Sequence, residues 1–279
     1  MTRLRIAGAL GVLGLLLATT LVVRPTQAGS GEPDVDNRFP NAGAIVVFAD
    51  PDHPTVPGSG VLIHPRVLLT AGHVTASGEE LLRNGVPLFD ISAISFGINA
   101  FDSSTWLKAV ATLTHPGFET GGHDLGVVIL KEPVNLPCAK LAPAGFLDDL
   151  KDAGLLRYPG VSKKFVAVGY GNTFTFPPPE EQLADGLRRF AFPDFHALQQ
   201  ENWIVLNQNL AAGNSGLASG DSGGPLFWSG PGGELVVVGI HSGSDPERVA
   251  KLVDYRTDTA AALDFIRVVI AMVEAGVFD

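Results

Sequence analysis

Short apolar runs recur from residue 44 onward, and turn-forming glycine, proline and polar residues separate them. Apolar runs bounded by such residues are typical of β-strands. The runs are AIVVFA (44–49), GVLIHPRVLLTA (60–71), LFDISAISFGI (88–98), WLKAVATLT (106–114), LGVVIL (125–130), KKFVAVGY (163–170), NWIVLN (202–207), PLFW (225–228), ELVVVGI (234–240) and AKLVDY (250–255). Many short strands between turns predict an all-β protein built as a sandwich or as barrels.

Two segments depart from this pattern. Residues 175–201 contain three consecutive prolines at 177–179, which forbid regular structure there, so the segment is predicted to be a loop. Near the C-terminus the apolar residues recur at helical spacing, which predicts an α-helix over residues 258–275 docked on the strands. These residues are Leu263, Ile266, Ile270 and Val273. Asp258 or Thr259 can cap the start of this helix, and Gly276 can end it.

The N-terminus has the pattern of an export signal. Two arginines precede a long apolar run, and small residues follow at Thr26 and Ala28. This predicts a signal peptide over residues 1–28, cut after Ala28, and therefore a secreted protein, extracellular or in the cell envelope. The apolar run is nearly long enough to span a bilayer, so an uncleaved membrane anchor remains the alternative. Residues 29–41 are polar and predict a flexible mature N-terminus.

Composition narrows the possible partners. The formal net charge of −10 argues against nucleic acid. Cys138 is the single cysteine, so no intrachain disulfide can form, and stability must come from the core. An exported chain without disulfides fits a bacterial source, and Cys138 is expected to be a small buried hydrophobe. The histidines show no metal-ligand spacing, so no metal site is predicted.

Three short stretches carry residues with chemical roles. LLTAGHV places His73 just after a strand, HDLGVVIL places Asp124 just before one, and SGDSGGPLF places Ser222 in a glycine-rich turn. A serine hydroxyl needs a neighbouring imidazole to take its proton, and the imidazole needs a carboxylate to hold its tautomer. Backbone N–H groups must stabilise the oxyanion, each lowering the barrier by about 3 kcal/mol. These residue types predict nucleophilic acyl transfer.

The three motifs, in this order, resemble those of the trypsin/chymotrypsin family of serine proteases. The resemblance implies two packed antiparallel six-stranded Greek-key β-barrels in a domain over residues 42–279, with halves at 42–150 and 160–256 and the C-terminal helix. It implies Ser222 as nucleophile, His73 as general base and acid, and Asp124 as the orienting carboxylate. The amides of Gly220 and Ser222 would form the oxyanion hole. No cofactor is implied, the partner is a protein or peptide substrate, and we expect a monomer.

The resemblance also assigns residues to substrate binding. The residue six before the serine usually lines the base of the specificity pocket, and here it is Gly216. Without an acid at that position, trypsin-like selection of Lys or Arg loses its counter-charge, although Asp245 is near enough in sequence to enter the pocket. The substrate would pair as an added strand with the backbone of Ser242, Gly243 and Ser244. The Ser242 side chain would support Asp124.

His241 lies directly before Ser242 and would be in or beneath that pocket. Glutamyl endopeptidases of the same clan carry a histidine there, with hydroxyl residues nearby, and this chain has Ser219 and Ser244 at matching places. We therefore predict a preference for Glu or Asp before the scissile bond. The alternative is a small or apolar pocket in which His241 is a structural hydrogen-bonding group. The net negative charge of the protein should weakly repel acidic substrates.

Other interpretations of the serine motif remain to be weighed. The stretch also fits the G-x-S-x-G elbow of α/β-hydrolases, but those enzymes place both Asp and His after the serine, and here only His241 follows it. A catalytically inactive homologue used for binding is the second alternative, although all three triad residue types are present. The family's activated N-terminus, Ile-Val-Gly-Gly, is absent before residue 44, so Asp221 needs another partner or activation differs.

Overall fold

The first half of the protein is a closed β-barrel of six strands. The computed structural model describes residues 31–50, 53–76, 92–118, 122–159, 164–175, 180–181, 185–209, 214–246 and 250–279. The barrel strands are β2 (Ala42–Asp50), β3 (His53–His64), β4 (Val67–Thr70), β5 (Ser92–Ser95), β6 (Trp106–Thr114) and β7 (Gly126–Leu130), with a short 3₁₀ turn (Ser103–Thr105) before β6. They pair antiparallel in the closed order β2-β3-β4-β7-β6-β5. Every residue of β4 and β7 is buried, which explains their uninterrupted apolar sequences.

The second half is one nine-stranded sheet, antiparallel except for the pairing of one short strand. Its members are β1 (Glu32–Pro33), β8 (Lys140–Leu141), β9 (Phe165–Gly169), β12 (Arg189–Ala191), β13 (Asp194–Gln199), β14 (Trp203–Asn207), β15 (Pro225–Ser229), β16 (Leu235–Ser244) and β17 (Lys251–Arg256). A hairpin of β10 (Phe174–Thr175) and β11 (Glu180–Glu181) is separate. The main path runs β1-β12-β9-β15-β16-β17-β14-β13, and β8 joins β16 in parallel.

Within the residues that the structure describes, the expected second barrel is thus a nine-stranded sheet whose end strands, β1 and β13, are not hydrogen-bonded to each other. Only Phe192 and Pro193 separate β12 from β13, so the chain itself connects the two sides of the sheet. Proline has no N–H to donate and is tolerated where a strand bends or its ladder is interrupted. The predicted all-β class, with two β-rich halves and a terminal helix, is confirmed, and each of the ten predicted runs contains a strand.

The prediction of a loop over residues 175–201 is wrong for its second half, which forms β12 and β13. The sequence did not predict β12 because two consecutive arginines lie at its start, and charged side chains are typical of a solvent-exposed segment. Arg188 and Arg189 are nevertheless buried, since each pairs with an aspartate, Asp34 and Asp185 respectively. The prolines at 177–179 lie outside the described residues.

Residues 31–41, part of the segment predicted to be flexible, pack against the second half. Strand β1 pairs with β12, and the side chain of Asp34 is fully buried. Its carboxylate accepts hydrogen bonds from the backbone N–H groups of Arg38 and Phe39, at 2.8 and 3.1 Å. The predicted signal peptide over residues 1–28 lies outside the described residues.

The two halves share a hydrophobic core with the C-terminal helix. One buried cluster contains Val127 of β7, Phe227 of β15 and Ile266 of the helix. A short helix, α1 (Phe146–Asp152), lies in the connection between the halves, and the C-terminal helix is α2 (Ala260–Glu274). Thr259 caps α2 by accepting a hydrogen bond from the Ala262 N–H. It is one of the two residues that the sequence predicted as the cap. No helix within the described ranges reaches the length and apolarity that a bilayer crossing requires.

Candidate active site

His73 lies on a helical turn, residues 72–76, that directly follows β4. Two glycines let this turn approach the start of β7. A Cβ on Gly72 would lie 2.9 Å from the Leu125 nitrogen, and a Cβ on Gly126 would lie 2.2 Å from Oγ1 of Thr75. Because real Cβ atoms do not come so close, the spacing between the histidine and aspartate motifs depends on glycine at both places.

Asp124 precedes β7 and receives hydrogen bonds from two parts of the chain. Its Oδ1 accepts from the His73 backbone N–H at 2.7 Å, and its Oδ2 lies 2.8 Å from Nδ1 of the same residue. The Ser242 hydroxyl, from β16, donates to Oδ2. Burial alone would raise the pKa of the Asp124 carboxyl, but the bonds from His73 and Ser242 outweigh it and hold that pKa below its usual value. The carboxylate is therefore charged near neutral pH, and it accepts a hydrogen bond from the N–H at Nδ1 of His73.

Ser222 lies on a tight turn directly before β15, and backbone hydrogen bonds join this turn to β3 and β16. Gly220 and Gly223 on either side of it have φ values of +94° and +84°, which favour glycine. The Ser222 carbonyl accepts from the Ser59 N–H at 2.7 Å, and the Gly220 carbonyl accepts from the Ser59 hydroxyl at 2.9 Å. A Cβ on Gly223 would lie 2.0 Å from Oγ1 of Thr70, the last residue of β4.

The serine turn is also close to the histidine turn. The Ser222 carbonyl oxygen and a methyl carbon of Val74, which follows His73, both lie within 3.1 Å of the place that a Cβ on Gly58 would take. The glycine at this position leaves room for both turns. The structure thus brings the three motifs together at the seam between the halves, although they are far apart in sequence.

Asp221 has backbone partners. Its two carboxylate oxygens accept hydrogen bonds from the N–H groups of Gly171 and Ala218, each at 2.7 Å. A Cβ on Gly171 would come within 2.4 Å of the carboxylate, so glycine is required there. Burial raises the pKa of the Asp221 carboxyl, and the two backbone bonds only partly offset the effect. Asp221 therefore has hydrogen-bond partners within the chain, from the backbone of Gly171 and Ala218.

A cavity of about 320 Å³ opens beside Ser222, and we call it the Ser222 cavity. Its lining residues are Leu217, Ala218, Ser219, Asp221, Ser222, His241, Ser242, Gly243, Ser244, Asp245, Pro246 and Leu252. Five of the residues predicted to bind substrate are therefore present together, and Asp245 also contributes. Gly216 is the exception, because it packs against Gln208, whose Oε1 would lie 2.0 Å from a Cβ at this position.

His241 is paired with a carboxylate that sequence analysis missed. Its Nδ1 lies 2.9 Å from Oδ2 of Asp254, and the exposed fractions of the two side chains are 2% and 0%. Nε2 of His241 and Oδ1 of Asp254 are buried and have no hydrogen-bond partner among the described residues. Leaving such atoms unpaired costs about 1–3 kcal/mol each, and more for a charged group, so this pair calls for an explanation.

Comparison with known proteins decides the family. The family model described as Trypsin matches residues 30–266. The chain belongs to the trypsin family. It is also similar to a trypsin-like protease of Streptomyces glaucescens, with 24% identity over 264 residues that cover 86% of this chain and 82% of the relative. Membership of the trypsin family makes this protein a serine endopeptidase that acts on proteins or peptides.

Two features of this trypsin-family site were not found from the sequence. Ser59 supports the serine turn from β3, and a lone serine in a strand gives no signal of that role. Asp254 does give a signal, because it is a charged residue two positions after Leu252 on the same face of a buried strand. In the described ranges, no cluster of three or more His, Cys, Asp or Glu side chains is arranged to hold a metal ion.

Proposed function

We propose that this serine protease works through a triad of His73, Asp124 and Ser222. The contact that carries the proposal is the hydrogen bond between Nδ1 of His73 and the Asp124 carboxylate, next to the glycine-rich turn of Ser222. A carboxylate bound at Nδ1 fixes the proton there, so Nε2 is the nitrogen that can take a proton from a hydroxyl.

In this mechanism Ser222 attacks the substrate carbonyl and passes its proton to His73, while Asp124 stabilises the resulting imidazolium. The amides of Gly220 and Ser222 donate to the oxyanion, and the positive φ of Gly220 allows the turn that would present them. His73 then returns the proton to the leaving amine, and water hydrolyses the acyl-enzyme by the same steps. The test is covalent labelling: the folded protein should react with a fluorophosphonate, and folded protein that does not label would instead be an inactive homologue.

We further propose that the Ser222 cavity prefers a Glu or Asp side chain before the scissile bond. The support is His241, which is one of the residues that line the cavity. The hydroxyl residues Ser219 and Ser244 line the same cavity and can add hydrogen bonds. Apolar lining by Leu217 and Leu252 favours the alternative, a small apolar pocket in which His241 is structural.

A set of peptides that differ only at the residue before the scissile bond separates these alternatives. We expect kcat/KM for Glu to exceed that for Leu by at least about tenfold, because the hydroxyl groups of Ser219 and Ser244 in the cavity lining can hydrogen-bond a carboxylate and not an apolar side chain. A peptide with Arg is the control for Asp245, which is also one of the residues that line the cavity. Strong turnover after Leu, Phe or Arg with none after Glu would contradict the acidic preference.

Export is proposed from the N-terminal sequence pattern. The protein should leave the cytoplasm and lose residues 1–28, because the arginines, the apolar run and Ala28 have the order of a signal peptide. N-terminal sequencing of the active form should begin at Gly29. Recovery of the full-length chain in the membrane fraction would favour the uncleaved anchor.

A further inference from the structure

Ser59 is a buried residue of β3 at which hydrogen bonds from three parts of the chain meet. Its hydroxyl donates to the Gly220 carbonyl at 2.9 Å and accepts from the Tyr170 N–H at 3.0 Å. Its backbone N–H donates to the Ser222 carbonyl at 2.7 Å, and its carbonyl accepts from the Thr70 hydroxyl at 2.7 Å. Ser59 therefore holds the carbonyls of both residues whose N–H groups are proposed to bind the oxyanion.

The serine turn contains four consecutive peptide groups between residues 219 and 223. The first group carries the Gly220 N–H, and the third carries the Ser222 N–H. Backbone N–H groups bind the carbonyls of these two peptides at 2.7 and 2.9 Å. Because the C=O and N–H of a trans peptide point in opposite directions, each of these bonds also fixes the direction of a donor. The second and fourth groups are the ones whose carbonyls Ser59 binds.

The second peptide group determines how the two donors are oriented relative to each other, because it joins the peptides that carry them. Gly220 begins this group, and its φ of +94° and missing Cβ leave its backbone little restricted by steric contacts. Rotation about ψ of Gly220 would turn one donor away from the other. Within the turn, the Asp221 N–H opposes this rotation by donating to the Ala218 carbonyl at 3.2 Å. The Ser59 hydroxyl makes the shorter bond, at 2.9 Å, and makes it from the other half of the protein.

We propose that Ser59 is a positioning residue for the oxyanion hole, and that its hydroxyl sets the angle between the Gly220 and Ser222 N–H groups. Ser59 is 1% exposed and is not among the residues that line the Ser222 cavity, so it acts through the peptide that joins the donors and not on the substrate. A hydroxyl has one proton, and the bond accepted from Tyr170 leaves that proton for the Gly220 carbonyl. The inference rests on the proposed function and adds a residue that controls its transition-state stabilisation.

Replacing Ser59 by alanine should lower kcat and leave KM unchanged, because the oxyanion develops only after the substrate has bound. Loss of a direct oxyanion donor lowers kcat by about 10²–10³, and Ser59 acts on the donors indirectly, so we expect a fall of about 10- to 100-fold. None of the four bonds of Ser59 goes to His73 or Asp124. The pH at which kcat is half-maximal, which reports the titration of His73, should therefore stay in place.

A peptide aldehyde and the matching peptide alcohol separate the oxyanion hole from the rest of the site. Both probes carry the sequence that the unmodified enzyme cleaves best. With the aldehyde, Oγ of Ser222 bonds to the carbonyl carbon, its proton passes to His73, and the carbonyl electron pair moves to the oxygen that enters the oxyanion hole. The alcohol has no carbonyl and binds without this step. Ser59→Ala should weaken binding of the aldehyde about 10- to 100-fold and change binding of the alcohol by less than about twofold.

Two further variants assign the effect to the Ser59 hydroxyl. Ser95→Ala is the matched control, because Ser95 is a fully buried serine of β5 in the same barrel, and its hydroxyl pairs with that of Thr105 at 2.6 Å. This control should lose stability in urea to a similar extent and keep kcat and both affinities. Ser59→Cys replaces the hydroxyl by a weak donor and should give values between those of serine and alanine. If Ser59→Ala does not fold, the same comparison of aldehyde and alcohol on Ser59→Cys decides the question.

Failure of this proposal can be told apart from failure of the proposed function. Unmodified protein that neither labels with a fluorophosphonate nor cleaves any peptide would overturn the proposed function itself. If the unmodified protein labels and cleaves, but folded Ser59→Ala keeps its kcat and its affinity for the aldehyde, the positioning role is overturned and the triad stands. Equal losses of aldehyde and alcohol binding, or a rise in KM alone, would show that the substitution disturbs the cavity and would also overturn the positioning role.

Discussion

Replacing Ser222 by alanine should lower kcat by about a millionfold and abolish labelling by a fluorophosphonate. Removing the nucleophile of a catalytic triad has this magnitude because the triad residues act as a unit. The oxyanion hole and substrate binding remain, so a residual acceleration of about 10³–10⁴ over the uncatalysed reaction should persist. KM should change little, since Ser222 is not expected to bind substrate in the ground state.

Folding has to be separated from chemistry in this experiment. Ser229→Ala is a matched control, because Ser229 ends the same β15 strand that follows the serine turn and lies outside the Ser222 cavity. Both variants should unfold at the same urea concentration as the unmodified protein. If Ser222→Ala retained more than about a tenth of the activity, another residue would be the nucleophile and the triad would be incorrect.

The sequence predicted the parts of this site that depend on local pattern. The strands before His73 and after Asp124 and Ser222 are apolar runs, and the glycines beside Ser222 indicate a tight turn. Local pattern also predicted α2, where the Thr259 cap and the helical spacing agree. These parts meet through contacts between residues that are far apart in the sequence. The resemblance to the family predicted those contacts, whereas hydrophobic periodicity carries no information about them.

The sequence did not predict which charged residues are buried, because each of them is paired with a residue that is distant in the chain. Arg188 and Asp34 each have the character of a surface residue, and only the folded chain shows that they neutralise each other. The same holds for His241 and Asp254, whose pairing depends on the register between β16 and β17. Register between strands is set by the whole sheet, so a single sequence gives little information about such pairs.

The buried pair of Asp34 and Arg188 leads to the second large expected effect. Both side chains are fully buried, and Nε of Arg188 lies 2.9 Å from Oδ2 of Asp34. Asp34→Ala should lower the free energy of unfolding by about 3–5 kcal/mol, because it leaves a guanidinium buried without its counter-charge. That is a large part of the 5–15 kcal/mol typical of a whole protein. Urea unfolding measures it.

Two further variants show whether the ion pair is the cause. Asp36→Ala lies two residues away on an exposed turn and should change stability by less than about 0.5 kcal/mol. Combining Asp34→Ala with Arg188→Met should cost clearly less than the sum of the two single changes, since the uncompensated charge is then absent. Additive losses would mean that the two residues act independently.

The pair should also matter for catalysis, because it connects the N-terminal segment to the serine turn. Arg188 donates to the Tyr170 hydroxyl at 3.3 Å, and burial raises the pKa of that phenol to about 12, so it stays neutral. The Tyr170 N–H donates to the Ser59 hydroxyl at 3.0 Å, and Ser59 in turn donates to the Gly220 carbonyl. Asp34→Ala, assayed where it is still folded, should therefore lower kcat more than it raises KM. A variant that loses stability but keeps kcat would show that the N-terminal segment holds the fold together without positioning the serine turn.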